Sequence, residues 1–448
     1  MNDDTAPPSD KPIRSESRRP SSKSRVVAGM SSVTLLSILL GFITSPIQAR
    51  ALGPIGRGDL AAIAVVLGIA PTLLDFGLAG FVARERARGT DAGSLYATIL
   101  ALTAPFCLIG VALAIPVGHL IGHGRPVVTH FVELGLWLSP LGVMFQTVGL
   151  VAVAERRWGL INRLRLTPPF ATAVSFVVLY ALGRLTVASA SIVLIASGLV
   201  AGAQLLPLLI RTRGWSFHRS LVRPALRFGS RVWITTILAQ GNSYLDQLML
   251  IGLTSARQLG LYAVATTVSS VALPIIVAPL AAGTFGDAAT GRYDDVAPAC
   301  RAGLLGTLAC GLVIAVAGPL AISVVFGKAF DGAIAMVFLL LLSSLPASVS
   351  GIIATLLGAA GQPGQVLRAQ AVGLAVSVPL LAIAIPHFGG LGAAAVDNIT
   401  NLTVAAVVLR YAIGTFGGRA TDYTVPRSSD VRKLWSSLLG MLRRLSTA

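Results

Sequence analysis

Charge is what this chain has least of: Asp, Glu, Lys and Arg make up 12% of its 448 residues, against 54% hydrophobic ones. Soluble domains carry about 25% charged residues, so a water-facing surface of the usual kind cannot be assembled here. No polar stretch is long enough to fold as a sizeable soluble domain. Three cysteines do not make a disulfide framework. Cys300 and Cys310 share one apolar run and would lie about 15 Å apart in a helix, beyond disulfide reach; with Cys107 they read as small buried hydrophobes. No Walker lysine motif occurs. The glycine-rich GPIGRG, Gly53 to Gly58, lacks the strand-then-helix setting of a phosphate loop and reads as a turn. His119 and His123 have metal-ligand spacing without a comparably placed third ligand, so neither a metal nor a cofactor is expected.

Apolar sequence is abundant, with mean hydropathy +0.79. A transmembrane helix needs roughly 20 apolar residues to cross a hydrocarbon core of about 30 Å. Twelve such runs are found, at 26–49, 60–82, 95–121, 131–153, 166–182, 188–210, 232–253, 259–282, 302–326, 333–358, 369–385 and 391–413. The fold class expected is therefore an all-α polytopic membrane protein of about 12 transmembrane helices. Run 26–49 follows a basic start and precedes a signal-like Ala49-Arg50-Ala51, but it is too long for a signal core and eleven runs follow it. Prolines inside the runs, among them Pro71, Pro140, Pro274 and Pro346, are tolerated in membrane helices as kinks.

A formal charge of +17 in a soluble protein would suggest nucleic acid. With the N-terminus inside, 29 of the 35 basic residues fall in cytoplasmic segments and 6 in outside loops, as the positive-inside rule requires. Topology thus accounts for the charge, no nucleic-acid partner is expected, and both termini are placed on the cytoplasmic side of the cell membrane.

The domain reading is a disordered basic tail at 1–25, an N-terminal six-helix lobe at 26–210, a basic linker at 211–231, a C-terminal six-helix lobe at 232–413 and a tail at 414–448. In the last, Val431, Leu434, Trp435, Leu438, Leu439, Leu442 and Leu445 follow helical spacing among basic residues, the pattern of an amphipathic helix on anionic lipid. The halves are nearly equal, and GDLAAIAV from Gly58 is echoed by GLYAVATT from Gly260. Six helices return the chain to its starting side, so the halves form a parallel pseudo-repeat, an arrangement used by alternating-access transporters.

Three stretches, ARALGPIGRGDLAAIAV (49–65), LLDFGLAGFVARE (73–85) and YLDQLMLIGLTSARQLGLYAVA (244–265), occur in this order with the basic linker before the seventh run. They resemble the Wzx-type polysaccharide and oligosaccharide flippases of the MOP superfamily, which also contains the MATE drug exporters and the lipid II flippases. The resemblance implies two six-helix MATE-like bundles and no enzyme activity. Its implied task is moving a polyprenyl-diphosphate-linked oligosaccharide from the inner to the outer leaflet, by alternating access, for cell-surface polysaccharide biosynthesis. Membrane lipid, glycosyltransferases and a polymerase of the same pathway are the implied partners. No apolar run after residue 413 matches the fourteen-helix form of the lipid II flippases, and arginine-rich early helices are not seen. The alternative on the same fold is a MATE-like cation-coupled multidrug exporter.

Ionisable groups inside spans cost about 2.5–3.5 kcal/mol at a helix centre, so they should face a cavity or a partner. Asp246 and Asn242 share one stripe of the seventh span, with Gln240, Ser243, Tyr244 and Gln247 beside it; the stripe suits sugar hydroxyls or a coupling cation, or else a hydrogen-bonded seam to the eighth span. It is expected to face a cavity where the two bundles meet. Asp75 lies near Arg84 and Arg86, which predicts an ion pair or gate contact, and Asp397 with Asn398 and Asn401 marks a polar stripe in the twelfth span. A diphosphate calls for the forked donors of arginine. Arg227 and Arg231 at the mouth of the seventh span, and Arg163 and Arg165 at the mouth of the fifth, are the candidates.

Overall fold

The computed structural model describes residues 22–427 and residue 430. The amphipathic pattern after residue 430 and most of the expected N-terminal tail lie outside the described residues. Those described are predominantly helical, with no strand among them. Nine of their helices are long and apolar enough to cross a membrane. Two of the nine are pairs. Helix α1 (Ser22–Leu74) departs from helical geometry at Gly53, φ 67°, and α14 (Pro363–Phe416) does so at Gly389, φ 56°. Both values lie in the left-handed region that glycine enters without a Cβ penalty. A further long helix, α9 (Arg219–Leu253), carries the polar stripe and completes twelve spans in two six-helix bundles.

Spans 1 and 2 are the arms of α1, the second continued by α2 (Leu78–Ala87). Span 3 is α3 (Ala92–Ala112) with α4 (Ala114–Gly122), and spans 4 and 5 are α5 (Pro126–Ala154) and α6 (Trp158–Ala181). Span 6 joins α7 (Val187–Ala203) to α8 (Leu206–Arg211). After α9, span 8 is α10 (Ala256–Ser269) and α11 (Ala278–Ala289), linked through a π-helical turn at Leu273–Val277 that holds Pro274. Spans 9 and 10 are α12 (Val296–Ala321) and α13 (Ala333–Ala359), and the arms of α14 are spans 11 and 12. With an even number of spans, the described ends of the chain lie on one face. That face also carries the arginine-rich loops and is called the arginine face below.

The structure departs from the sequence reading between spans 1 and 2. GPIGRG is not a loop: the bend is confined to Gly53, and Pro54, whose missing N–H and fixed φ suit a first helical turn, starts the second arm directly. Arg57, expected in an outside loop, is therefore a helix residue whose Nε is buried.

The bundles touch at both faces. On the face opposite the arginines, span 2 crosses span 8 at Gly58 and Gly260, the two residues of the sequence echo. A Cβ on Gly58 would overlap the carbonyl of Ala256, and one on Gly260 would overlap the carbonyl of Pro54. At the arginine face, span 2 breaks after Leu74. Phe76 (φ 52°) and Gly77 (φ 70°) turn the chain, the Asp75 carboxylate accepts the Ala79 N–H at 2.9 Å, and α2 begins. Capping of this kind satisfies one donor that a helix start leaves open. The break is held against span 7: Trp233 Nε1 donates to the Leu73 carbonyl at 2.8 Å, and Phe76 stacks between Phe106 (4.4 Å) and Trp233 (5.0 Å).

Candidate functional site

Two polar clusters stand apart. The first is at the arginine face. Helix α9 has 35 residues, about 52 Å at 1.5 Å per residue, so its first turns project well beyond a 30 Å hydrocarbon core. Arg223, Arg227 and Arg231 recur there every four residues and so share one side of the helix. Arg84 of α2 faces them from the other bundle, its guanidinium 5.3 Å from the Phe228 ring centroid. The four arginines, with Pro224, Phe228 and Val232, line a cavity of about 760 Å³ that contains no acidic side chain. All four are exposed, and none makes an ion pair among the described residues. Water solvates them at no great cost, and an anion with several oxygens would find paired, forked donors.

Arg227 and Arg231 thus stand together, whereas Arg163 and Arg165 are exposed on α6 and do not line this cavity. Arg223 and Arg84 were missed as candidates. The four-residue spacing from 231 back to 223 was available in the sequence; the approach of α2 is tertiary and was not. The expected pairing of Asp75 with Arg84 or Arg86 does not occur. Asp75 caps α2, Arg84 covers Phe228, and Arg86 pairs with Glu155 at 2.8 Å.

The second cluster lies inside the C-terminal bundle. Asn242, Ser243, Asp246 and Gln247 of α9 line a cavity of about 440 Å³ with Tyr262 and Thr266 of α10, Ser343 of α13, and Asp397 and Asn401 of α14. The polar stripe therefore faces a cavity within one bundle rather than the junction of two, because spans 8, 10 and 12 close around it. Gln240 is half-buried one turn away and is not among the lining residues. The Tyr262 hydroxyl donates to Asp246, a bond between spans 8 and 7. Asn242 donates to the Gln370 carbonyl at 3.0 Å, reaching span 11. Asn401 Nδ2 donates to Asp397 at 3.0 Å and to Ser343 Oγ at 2.9 Å, and Ser343 donates to Asp397. After these bonds Asp246 Oδ1 is still buried without a partner. Two carboxylates, one with a free buried oxygen, among hydroxyls and amides make an oxygen-rich setting of the kind hard cations take.

Twelve spans in two six-helix bundles around interior polar cavities define an all-α polytopic membrane protein of MATE-like fold. The family described as "Polysaccharide biosynthesis protein" matches residues 26–285, and the chain belongs to it. No curated protein sequence matches. Among solved structures, the chain is similar to the lipid II flippase MurJ in an inward closed conformation, with 12% identity over 86% of this chain and 88% of that one, TM-score 0.71. It is also similar to a multidrug resistance MATE family transporter of the MOP superfamily in its inward-facing conformation, with 12% identity over 87% and 98% of the two chains, TM-score 0.69. The bent form of the Vibrio cholerae MATE transporter VcmN gives 17% identity over 89% and 98%, TM-score 0.57.

Proposed function

We propose that the protein is a flippase that carries a polyprenyl-diphosphate-linked oligosaccharide from the cytoplasmic to the outer leaflet of the cell membrane, with the arginine face cytoplasmic. The observation that carries this reading is the acid-free pocket of Arg84, Arg223, Arg227 and Arg231 at the junction of the two bundles. A diphosphate is the part of such a substrate that hydrocarbon rejects most strongly, and a cationic mouth on the loading side offsets its desolvation. Two contacts between the bundles on opposite faces, Gly58 with Gly260 on one and Leu73 with Trp233 on the other, are the proposed gates of an alternating-access cycle.

A second reading, cation-coupled drug export as in the MATE transporters, is favoured by the Asp246 and Asp397 cavity. The two readings share a fold and separate at the substrate. In a deletion strain with no second flippase, the lipid-linked oligosaccharide should accumulate on the cytoplasmic side while its synthesis continues, and drug sensitivity should stay as in the parent. Arg227→Ala with Arg231→Ala should reproduce the accumulation with the protein still in the membrane, and Lys at 231 should restore part of the transport, keeping the charge without the fork. Normal surface polysaccharide in the deletion strain together with raised drug sensitivity would favour the exporter.

A further inference from the structure

A third cavity, of about 340 Å³, lies between the bundles near the Gly53 bend. Thr44, Ser45 and Gln48 of span 1, Arg57 of span 2, and Thr267 and Ser270 of span 8 supply its polar wall. Two of these side chains carry buried atoms that are unsatisfied. Ser45 is 4% exposed and Gln48 8% exposed. The Ser45 Oγ and the Arg57 Nε are buried with no partner among the described residues. The nearest acid in sequence, Asp59, is taken by Arg125, so Arg57 has no counter-ion among the described residues. Buried polar groups in native proteins are nearly always paired, and an arginine whose Nε is enclosed with no acid beside it is rarer still. Two together on one cavity, with the Gln48 amide beside them, mark a place shaped for a ligand with oxygens to offer. A carboxylate or phosphoryl group accepts from a guanidinium in the forked geometry, while Ser45, Gln48, Thr267 and Ser270 can meet hydroxyls beside it.

The position separates this place from the pocket on α9. Arg57 is one turn from the Gly53 bend, next to the Gly58 and Gly260 crossing, while Arg231 lies near the other end of span 7. Counting helical rise, the two basic sites are on the order of 25 Å apart, further than one diphosphate reaches. Thr267 and Ser270 also belong to the cavity of Asp246 and Asp397, so one stretch of span 8, just before its π-helical turn, walls both.

We propose that Arg57, Ser45 and Gln48 form a second oxyanion-binding site, beneath the gate opposite the arginine face, that takes an anionic group of the transported substrate. The site rests on the flippase reading. It serves either the diphosphate at a later stage of its passage or the carboxylate of an acidic sugar leading it, and both present the same oxygens to Arg57.

The test is equilibrium binding to the purified full-length protein in lipid nanodiscs, with labelled inorganic pyrophosphate and, separately, labelled glucuronate. The background is Arg227→Ala with Arg231→Ala, which weakens the pocket on α9. Pyrophosphate binding that persists there and falls at least tenfold with Arg57→Gln supports the site with diphosphate as its ligand. Glucuronate binding with the same dependence supports it with an acidic sugar. Arg57→Lys should keep part of either. Should Arg57→Gln fail to assemble, Ser45→Ala and Gln48→Ala give the reading instead, each expected to weaken binding severalfold. Binding of neither ligand, or binding unaffected by all of these changes, would overturn the proposal and leave a hydrated polar seam. That failure is distinct from failure of the flippase reading, which is judged by accumulation of the lipid-linked oligosaccharide in the deletion strain.

Discussion

Asp246 and Asp397 are acids in a bundle whose outer surface is apolar, and each is held by donors from a neighbouring span. Asn at 246 keeps an oxygen for the Tyr262 hydroxyl but removes the charge. The expected result for Asp246→Asn is normal protein level and melting temperature, with transport reduced and no longer responsive to the ion gradient; transport that still follows the gradient would make Asp246 a structural acceptor only. At the arginine face, Glu155 accepts from Arg86 at 2.8 Å and Arg157 at 2.7 Å. Partial burial pushes its carboxyl up, but hydrogen bonds and charge from Arg86 and Arg157 outweigh this, and it titrates below its ordinary value. A depressed folded value means the stabilisation is complete above the unfolded carboxylate range and is lost as pH falls through the folded value. Glu155→Gln should therefore lower the melting temperature more at pH 7 than at pH 3. An equal difference at both pH values would assign the effect to packing.

At the scale of elements, the glycine crossing of spans 2 and 8 offers a direct handle on one of the proposed gates. Gly58→Leu has no room against Ala256 and should hold the bundles apart on that face. In a cysteine-free background, cysteine at position 45 should become reactive to an impermeant thiol reagent in the Gly58→Leu protein and stay protected without it; protection in both would mean that the crossing is not a gate. Span 9 is tied to the segment after span 12 by Arg301 and Asp430, whose side chains are 6% and 7% exposed. Removing one partner of such a pair costs about 3–5 kcal/mol. Arg301→Ala should lower the melting temperature by several degrees without changing substrate affinity, measured by thermal unfolding and binding on the same sample. Sequence alone was informative about spans because apolar length is a one-dimensional signal. It failed at GPIGRG, where a single left-handed glycine followed by proline does the work of a loop. It failed again at Asp75, where the nearest cations in sequence were engaged by Phe228 and Glu155 and the acid capped a helix instead.

For the whole molecule, charge bias along the chain was enough to propose an orientation, since lipid imposes the same rule on every loop. The stripe of Asn242 and Asp246 was likewise visible, because polar residues at helical spacing in an apolar run are costly unless used. Its meeting with Asp397 was not, because it depends on how spans 7, 8, 10 and 12 pack. The unsatisfied set around Arg57 was invisible for the same reason: three spans from two bundles create it. Orientation is checked by labelling intact cells. Cysteine at position 125 or 328 should react with an impermeant reagent, and cysteine at 157 or 219 should not; reaction at 219 would invert the proposed topology. The central claim, that this protein moves a lipid-linked oligosaccharide, is tested most directly with purified protein in liposomes carrying a fluorescent polyprenyl-diphosphate oligosaccharide in both leaflets, scored by how much an external quencher can reach. The account predicts complete quenching with the protein, and quenching of only the outer-leaflet half with empty liposomes or the Arg227→Ala, Arg231→Ala protein. Quenching that stops at the outer-leaflet half with the unaltered protein, under an imposed ion gradient of either sign, would contradict it.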